Sequence, residues 1–532
     1  MIPPRTDRKA LWLTLLLASL GVLLLLSAIL WSRTRPVEMH DLHLADGEKL
    51  KCVSYAPYHR PGQTPLDIDT RIEREQIAAD LAALAKITEC VRLYSVDQGL
   101  DQVPELARPL GMKVLLGAWI GYEKPRNARE LEHAIALANA NPDVVRALIV
   151  GNEVLLRRER TEDEMRELIR HAKANARVPV TYADVWEFWT RHDSLAAEVD
   201  FVTVHILPFW EDEPVDIELA LEHVAETRRH VGEHFAGKNI LIGETGWPSA
   251  GRQREESKPS RVNQARYVRE FVHRAHAEGW DYNLIEAIDQ PWKRKLEGTV
   301  GGYWGMLDAA TLAPKFPLAG PVAERDSLYG PVGGALVGGV LALLLAMTGR
   351  RTRCLRVSAL TATGALGGLV AVLHWEHAHL AYRNALEWIV LGGVGALAAL
   401  LPLTLARWHG QAVPATGQAD SIRWQPERLL GMLRTALLFA AAVAALLLWV
   451  DPRYRDFPTL LYLVPAVVLG VTGWWRRRGS RRERTCAAVI AIGVIARWST
   501  EPANPQAIAW LLVGLTLALP LLLVRANQDE QR

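Results

Sequence analysis

Two hydrophobic rhythms divide this chain. Between about residues 51 and 290, short unbroken apolar runs alternate with stretches whose apolar positions recur every three to four residues. The runs predict buried strands and the stretches predict amphipathic helices. The expected strands are 52–56, 91–94, 113–119, 147–151, 179–182, 201–205, 239–243 and 283–287. Helical periodicity covers 72–87, 128–139, 162–175, 217–234 and 262–278. Eight strand–helix repeats over about 275 residues predict a (β/α)8 TIM barrel, for which ~250 residues is typical. A doubly wound open sheet is the alternative, but it would carry a Gly-rich phosphate turn after its first strand. Here that turn reads Tyr55-Ala-Pro-Tyr-His-Arg60.

The second rhythm belongs to the flanks. Residues 11–31 form an uncharged apolar run of 21 residues after Arg5, Arg8 and Lys9, long enough to cross a bilayer. It lacks a clear small-x-small cleavage site, so it is expected to stay as an anchor. Further apolar segments follow at 331–348, 357–373, 387–406, 432–450, 458–475, 485–498 and 507–524. The segment 485–498 is the shortest, about 21 Å as a helix. Arg350, Arg351, Arg353 and Arg356 fill one connecting loop, and Arg476, Arg477, Arg478, Arg481, Arg482 and Arg484 fill another. Placing the basic loops inside gives eight spans, with residues 32–326 outside. Three domains are expected: 1–40 with the first span, a 41–326 barrel, and an all-α membrane domain of about seven spans over 327–532.

Charge sharpens this division. The whole chain has a net charge of +2, but residues 41–326 carry −11, against +3 before and +10 after. An acidic domain excludes nucleic acid and anionic polymers as natural partners and allows a neutral polysaccharide. Cys354 and Cys486 fall on the inner side. Cys52 and Cys90 are read as two unpaired buried thiols in preference to a disulfide. The absence of an Asn-x-Ser/Thr sequon suits a bacterial envelope, so the expected location is the inner membrane with the barrel on the periplasmic side. The sequence His374-Trp-Glu-His-Ala-His379 is read as an interfacial loop rather than a metal site.

Candidate chemistry collects at the C-terminal strand ends, where a barrel places function. The run 240–242 delivers Glu244 into Thr-Gly-Trp-Pro, and Val150-Gly-Asn152-Glu153 repeats the pattern on the fourth strand. Two strand-end glutamates facing each other across a barrel mouth are the equipment of a glycosidase. A carboxyl separation of roughly 5–5.5 Å, the retaining geometry, is expected. Glu244 would then attack the anomeric carbon, Glu153 would serve as acid/base, and Asn152 would bind the 2-hydroxyl. Glu153 should have a raised pKa, from burial and the Glu244 charge. Candidate sugar-binding residues on the same ends are Tyr55, Tyr94, Trp119, Trp186, His205, Phe209, Trp247, Glu286, Asp289, Gln290, Trp292 and Lys293.

At these residues the sequence resembles glycoside hydrolase family 17, the β-1,3-glucanases and glucanosyltransferases, and it is identified as a bacterial, membrane-anchored member. The residues 240–251 match the nucleophile signature and 150–154 the acid/base motif. Val91-Arg-Leu-Tyr-Ser95 and Ile285-Glu-Ala-Ile-Asp-Gln-Pro-Trp-Lys293 are further echoes. The resemblance covers about residues 50–310. It implies a TIM barrel, retention, no metal or other cofactor, and the roles given above for Glu153 and Glu244. Gln290 stands where many family hydrolases carry Glu. The resemblance implies a neutral β-glucan as partner; the apolar spans, on which the resemblance is silent, add the lipid bilayer and leave room for a membrane glucan synthase. Glucan remodelling by transfer is favoured over plain endo-β-1,3-glucanase hydrolysis. A non-catalytic sugar-binding module is the reading from a different class.

Overall fold

The computed structural model describes residues 5–42, 44, 48–348, 353–408, 426–474 and 480–523. Contacts divide the chain into two compact units, one built on Val37–Gly251 with Glu256–Val322 and the other on the remaining residues.

The first unit is a closed barrel of eight parallel strands in chain order. They are β1 (Val53–Ser54), β2 (Cys90–Arg92), β3 (Lys113–Ala118), β4 (Val145–Asn152), β5 (Val180–Val185), β6 (Val202–His205), β7 (Ile240–Thr245) and β8 (Asp281–Leu284). Strands flanked on one side by helices and on the other by the barrel lumen are buried on both faces, so they show no polar alternation. Helix boundaries follow local chemistry. Thr161 and Glu164 form a reciprocal capping box at the start of Glu162–Asn175, and Ser260 caps Arg261–Ala277. The last strand begins two residues earlier than expected and ends at Leu284. Beyond it the amides of Ile285, Glu286 and Ala287 donate to Thr245, Trp304 and Ser54, which belong to three different segments, so the regular ladder stops.

Inside the barrel, Leu115, Ala147, Ile149, Ala183 and Leu241 pack with Cys52 and Cys90. Those two cysteines form a disulfide, correcting the expectation of free thiols. The cause is register. Val53 pairs with Val91, so Cys52 and Cys90 stand side by side on neighbouring strands and face the same lumen.

The second unit is helical. Among the described residues, six helices are long and apolar enough to cross a membrane: Arg8–Arg33, Tyr329–Met347, Cys354–Ala381, Ala385–Arg407, Pro426–Val450 and Pro505–Leu523. The apolar helix Thr459–Gly473 is shorter, and Arg481–Thr500 starts with Arg481, Arg482, Glu483 and Arg484. Arg350, Arg351, Arg476, Arg477 and Arg478, on which the expected orientation leaned, lie outside the described residues. The segment 374–379 is helical, part of Cys354–Ala381, and not a loop. Its Trp375 and His379 pack edge-on against Trp388. Helices Tyr329–Met347 and Cys354–Ala381 touch backbone to backbone. A Cβ on Gly368 would lie 1.9 Å from the Gly334 carbonyl oxygen, so glycine is required there.

Candidate active site

Register brings the two glutamates together. On β6 and β7, His205 pairs with Glu244, and on β4 and β5, Asn152 pairs with Ala183. Glu153 follows Asn152 with φ of +51°, in the left-handed region that costs a non-glycine residue free energy and recurs at functional sites. His205 lies between the carboxylates, with Nδ1 3.0 Å from Glu153 Oε1 and Nε2 3.7 Å from Glu244 Oε1. One oxygen of each glutamate and a ring nitrogen of His205 all fall within 4.8 Å of one another.

That trio is the one grouping of metal-ligating type among the described residues, yet a cation already serves it. Arg92 Nη1 donates to Glu244 Oε1 at 3.1 Å and to the Gly243 carbonyl at 2.6 Å, and stands 3.4 Å from His205 Nε2. Its Nη2 donates to Asn152 Oδ1, which turns the Asn152 amide nitrogen into the available donor. The Tyr94 hydroxyl lies 2.8 Å from Glu244 Oε1 and 2.9 Å from Ser54 Oγ, and Asn283 Nδ2 donates to Ser54 Oγ at 2.7 Å. All of these contacts with Glu244 fall on Oε1, so Oε2 is the oxygen left for a ligand.

Electrostatics correct one expectation. The pKa of Glu153 is lowered, not raised. Burial is the largest influence and acts upward. The hydrogen bond and charge of His205, then Arg157 and Arg92, together outweigh it. Replacing His205 with asparagine is therefore expected to raise the Glu153 pKa. If Glu153 must be protonated for turnover, the alkaline limb of the kcat/KM–pH profile moves to higher pH. An unmoved limb would separate His205 from the titration of Glu153.

The remaining candidates divide into two groups. Tyr94, Trp119, Trp186 and Trp292 are half-buried and keep part of their rings accessible. Arg157 stacks over Trp119 at 4.4 Å, and Trp186 Nε1 donates to Glu211. Lys293 Nζ sits 3.1 Å from both oxygens of Glu286, and Glu244 is among the charges acting on that ammonium. Tyr55, Phe209 and Trp247 are corrected: each is wholly buried and presents no face to a sugar. Tyr55 donates to Asp80, while Phe209 packs edge-on against Trp247 and Trp304 behind the cleft. Asp289 is buried against Lys315 at 2.7 Å, away from ligand contact. Gln290 is buried as well. Its amide nitrogen donates to the carbonyls of Ala56 and Ile288, and its oxygen accepts from Trp292 Nε1 at 2.8 Å. An amide fits there because a carboxylate would set a negative oxygen against two carbonyls.

Two residues escaped the sequence reading. Arg92 is one, and its signal was a lone arginine between apolar neighbours in a strand buried on both faces, where a charge needs a partner. Glu297 is the other, one helical turn after Lys293. Its pKa is raised by burial first, against Lys293, with the charges of Glu153 and Glu244 adding to the rise.

Comparison with known proteins bears on this geometry. Residues 52–305 match the BtgE/BtgC glycoside hydrolase domain. The chain is 26% identical over 270 residues to the glucan endo-1,3-beta-glucosidase btgC of Emericella nidulans, covering 44% of this chain and 40% of that protein. It is 29% identical over 225 residues to the glucan 1,3-beta-glucosidase of Arthroderma benhamiae, covering 40% and 72%. Among solved structures it is similar to the glycoside hydrolase family 17 β-1,3-glucanosyltransferase of Rhizomucor miehei. That likeness has 25% identity, covers 51% of this chain and 97% of that one, and has a TM-score of 0.44. The chain spans about two fifths of the length of the btgC relatives it matches. The curated relatives are fungal, which corrects the expectation of a bacterial member in an inner membrane with a periplasmic barrel.

Proposed function

We propose that the barrel is a retaining β-glucan-active enzyme, with a β-1,3-glucan as donor, that cleaves glucan chains and transfers them to an acceptor sugar. The observation that carries this reading is the approach of Glu153 and Glu244 oxygens to within 4.8 Å. An inverting pair stands ~6.5–9.5 Å apart to admit a water, whereas a retaining pair stands at ~5–5.5 Å. The donor is supported by the names of the curated relatives, which are glucan 1,3-beta-glucosidases.

Under this reading Glu244 Oε2 attacks the anomeric carbon while Arg92 and Tyr94 hold Oε1. The Asn152 amide donates to the 2-hydroxyl. Glu153 gives its proton to the leaving oxygen and then takes one from the incoming hydroxyl. A bound glucan expels the water that still reaches Glu153, whose side chain is 23% exposed. Burial acts upward on its pKa, so binding favours the protonated acid.

Apolar helices suited to membrane anchoring favour work on glucan held near a membrane, in company with a membrane glucan synthase. The test is the product profile of the full-length protein, in detergent, on β-1,3-gluco-oligosaccharides by mass spectrometry. Oligomers longer than the donor are expected. Shorter products alone would establish a hydrolase, and intact binding without turnover would establish a sugar-binding module.

A further inference from the structure

Glu153 holds a costly backbone conformation, so something must pin its turn, and β5 does. The Glu153 amide donates to the Ala183 carbonyl at 2.8 Å. Two residues on, the Leu155 amide donates to the Tyr182 hydroxyl at 3.0 Å, and the Tyr182 hydroxyl donates in turn to Asp184 Oδ2. The Leu156 amide also points at Asp184 Oδ2, at 3.4 Å, while Asp184 Oδ1 accepts from the Val185 amide at 2.8 Å. Asp184 and Tyr182 are both buried. Consecutive residues of one strand thus grip the first, third and fourth residues of the turn that aims Glu153.

We propose that Asp184, acting through Tyr182, is a positioning residue for the acid/base carboxyl of Glu153, fixing its turn without touching the sugar. This rests on the reading of Glu153 as acid/base. Buried hydrogen-bonded networks of this kind set side-chain geometry more tightly than packing alone. The charge of Asp184 adds a second influence. Its pKa is pushed up to about 6, by burial first, with the Tyr182 hydrogen bond opposing, the Glu153 charge adding, and the Val185 amide and His205 opposing. Repulsion between two carboxylates is mutual, so ionised Asp184 favours the protonated form of Glu153.

The two roles of a glycosidase separate by leaving group. A sugar leaving group needs the proton of Glu153, whereas dinitrophenolate departs without it. Asp184→Asn keeps the shape but removes the charge and one of the two acceptor oxygens, so it cannot serve Tyr182 and the Val185 amide together, and Tyr182→Phe removes the hydroxyl relay. In the full-length protein, each is expected to lower kcat on a β-1,3-gluco-oligosaccharide by about tenfold or more, part of the ~10²–10⁴ that general acid catalysis supplies. Each should leave glycosylation by a dinitrophenyl β-glucoside within about twofold of wild type. With Asp184→Asn the alkaline limb on the oligosaccharide also moves to lower pH. Equal losses on both substrates, or no loss on either, would overturn the proposal. Should Asp184→Asn fail to fold, Tyr182→Phe decides alone. A wild-type protein inert on both substrates would overturn the acid/base reading and this proposal with it.

Discussion

Replacing Glu244 with alanine should abolish turnover of β-1,3-gluco-oligosaccharides, a loss of roughly 10⁴–10⁶-fold, the range seen when a nucleophile is deleted. Glu153→Ala should cost less, about 10²–10⁴-fold, and should lose little in the glycosylation step with a dinitrophenyl glycoside, whose leaving group needs no proton. The difference follows from what surrounds each carboxyl. Glu244 is 5% exposed, and one of its oxygens receives hydrogen bonds from the Arg92 guanidinium and the Tyr94 hydroxyl, which fix the carboxylate in place. Glu153 is the more open of the two, with 23% of its side chain exposed and the His205 ring 3.0 Å away. Azide makes the assignment checkable. With Glu153→Ala it would attack the glycosyl-enzyme and give a β-glucosyl azide. With Glu244→Ala it would enter the vacated nucleophile space and give the α-anomer. Products of the opposite configuration would exchange the two roles.

The two glutamates were legible in the sequence because each ends an unbroken apolar run, and a buried strand in a barrel can release a carboxylate only at its mouth. The strand order was legible for the same reason. The aromatic residues were not. Trp247 and Trp292 both lie in turns beyond strand ends, but Trp247 turns back against Phe209 and Tyr267, while Trp292 is held half-exposed by Gln290. Which way such a ring points depends on helices far away in sequence. The disulfide depended on register between β1 and β2, which apolar runs of three or four residues leave undetermined. Hydropathy alone also does not see that Arg481–Thr500, which holds the shortest expected span, opens on a charged turn where Glu483 pairs with Arg434. The lowered pKa of Glu153 needed the ring of His205 at 3.0 Å, a contact between residues 52 positions apart.

Arg92→Met should be the most damaging change outside the two glutamates. Arg92 and Glu244 form an ion pair with 1% and 6% of their side chains exposed. Removing one partner of such a pair leaves a buried charge uncompensated and costs ~3–5 kcal/mol. The same change strips Asn152 of its Oδ1 partner, although the Gly243 carbonyl keeps its bond from Asn283 Nδ2 at 2.8 Å. The fold should therefore loosen at the barrel mouth, lowering the denaturant midpoint of the full-length protein. Turnover should fall further than stability alone explains, about 10²–10³-fold in kcat/KM for the loss of a charge-assisted hydrogen bond made to the reacting group. Arg92→Lys tests the reason. Lysine restores the charge but not the planar fork that reaches Glu244 and Asn152 together, so it should recover stability more than rate. If lysine restored both, a point charge would suffice. If Arg92→Met stayed within about threefold of wild type, the guanidinium would have no part in holding Glu244, and Oε1 of its carboxylate would have to be held by Tyr94 alone.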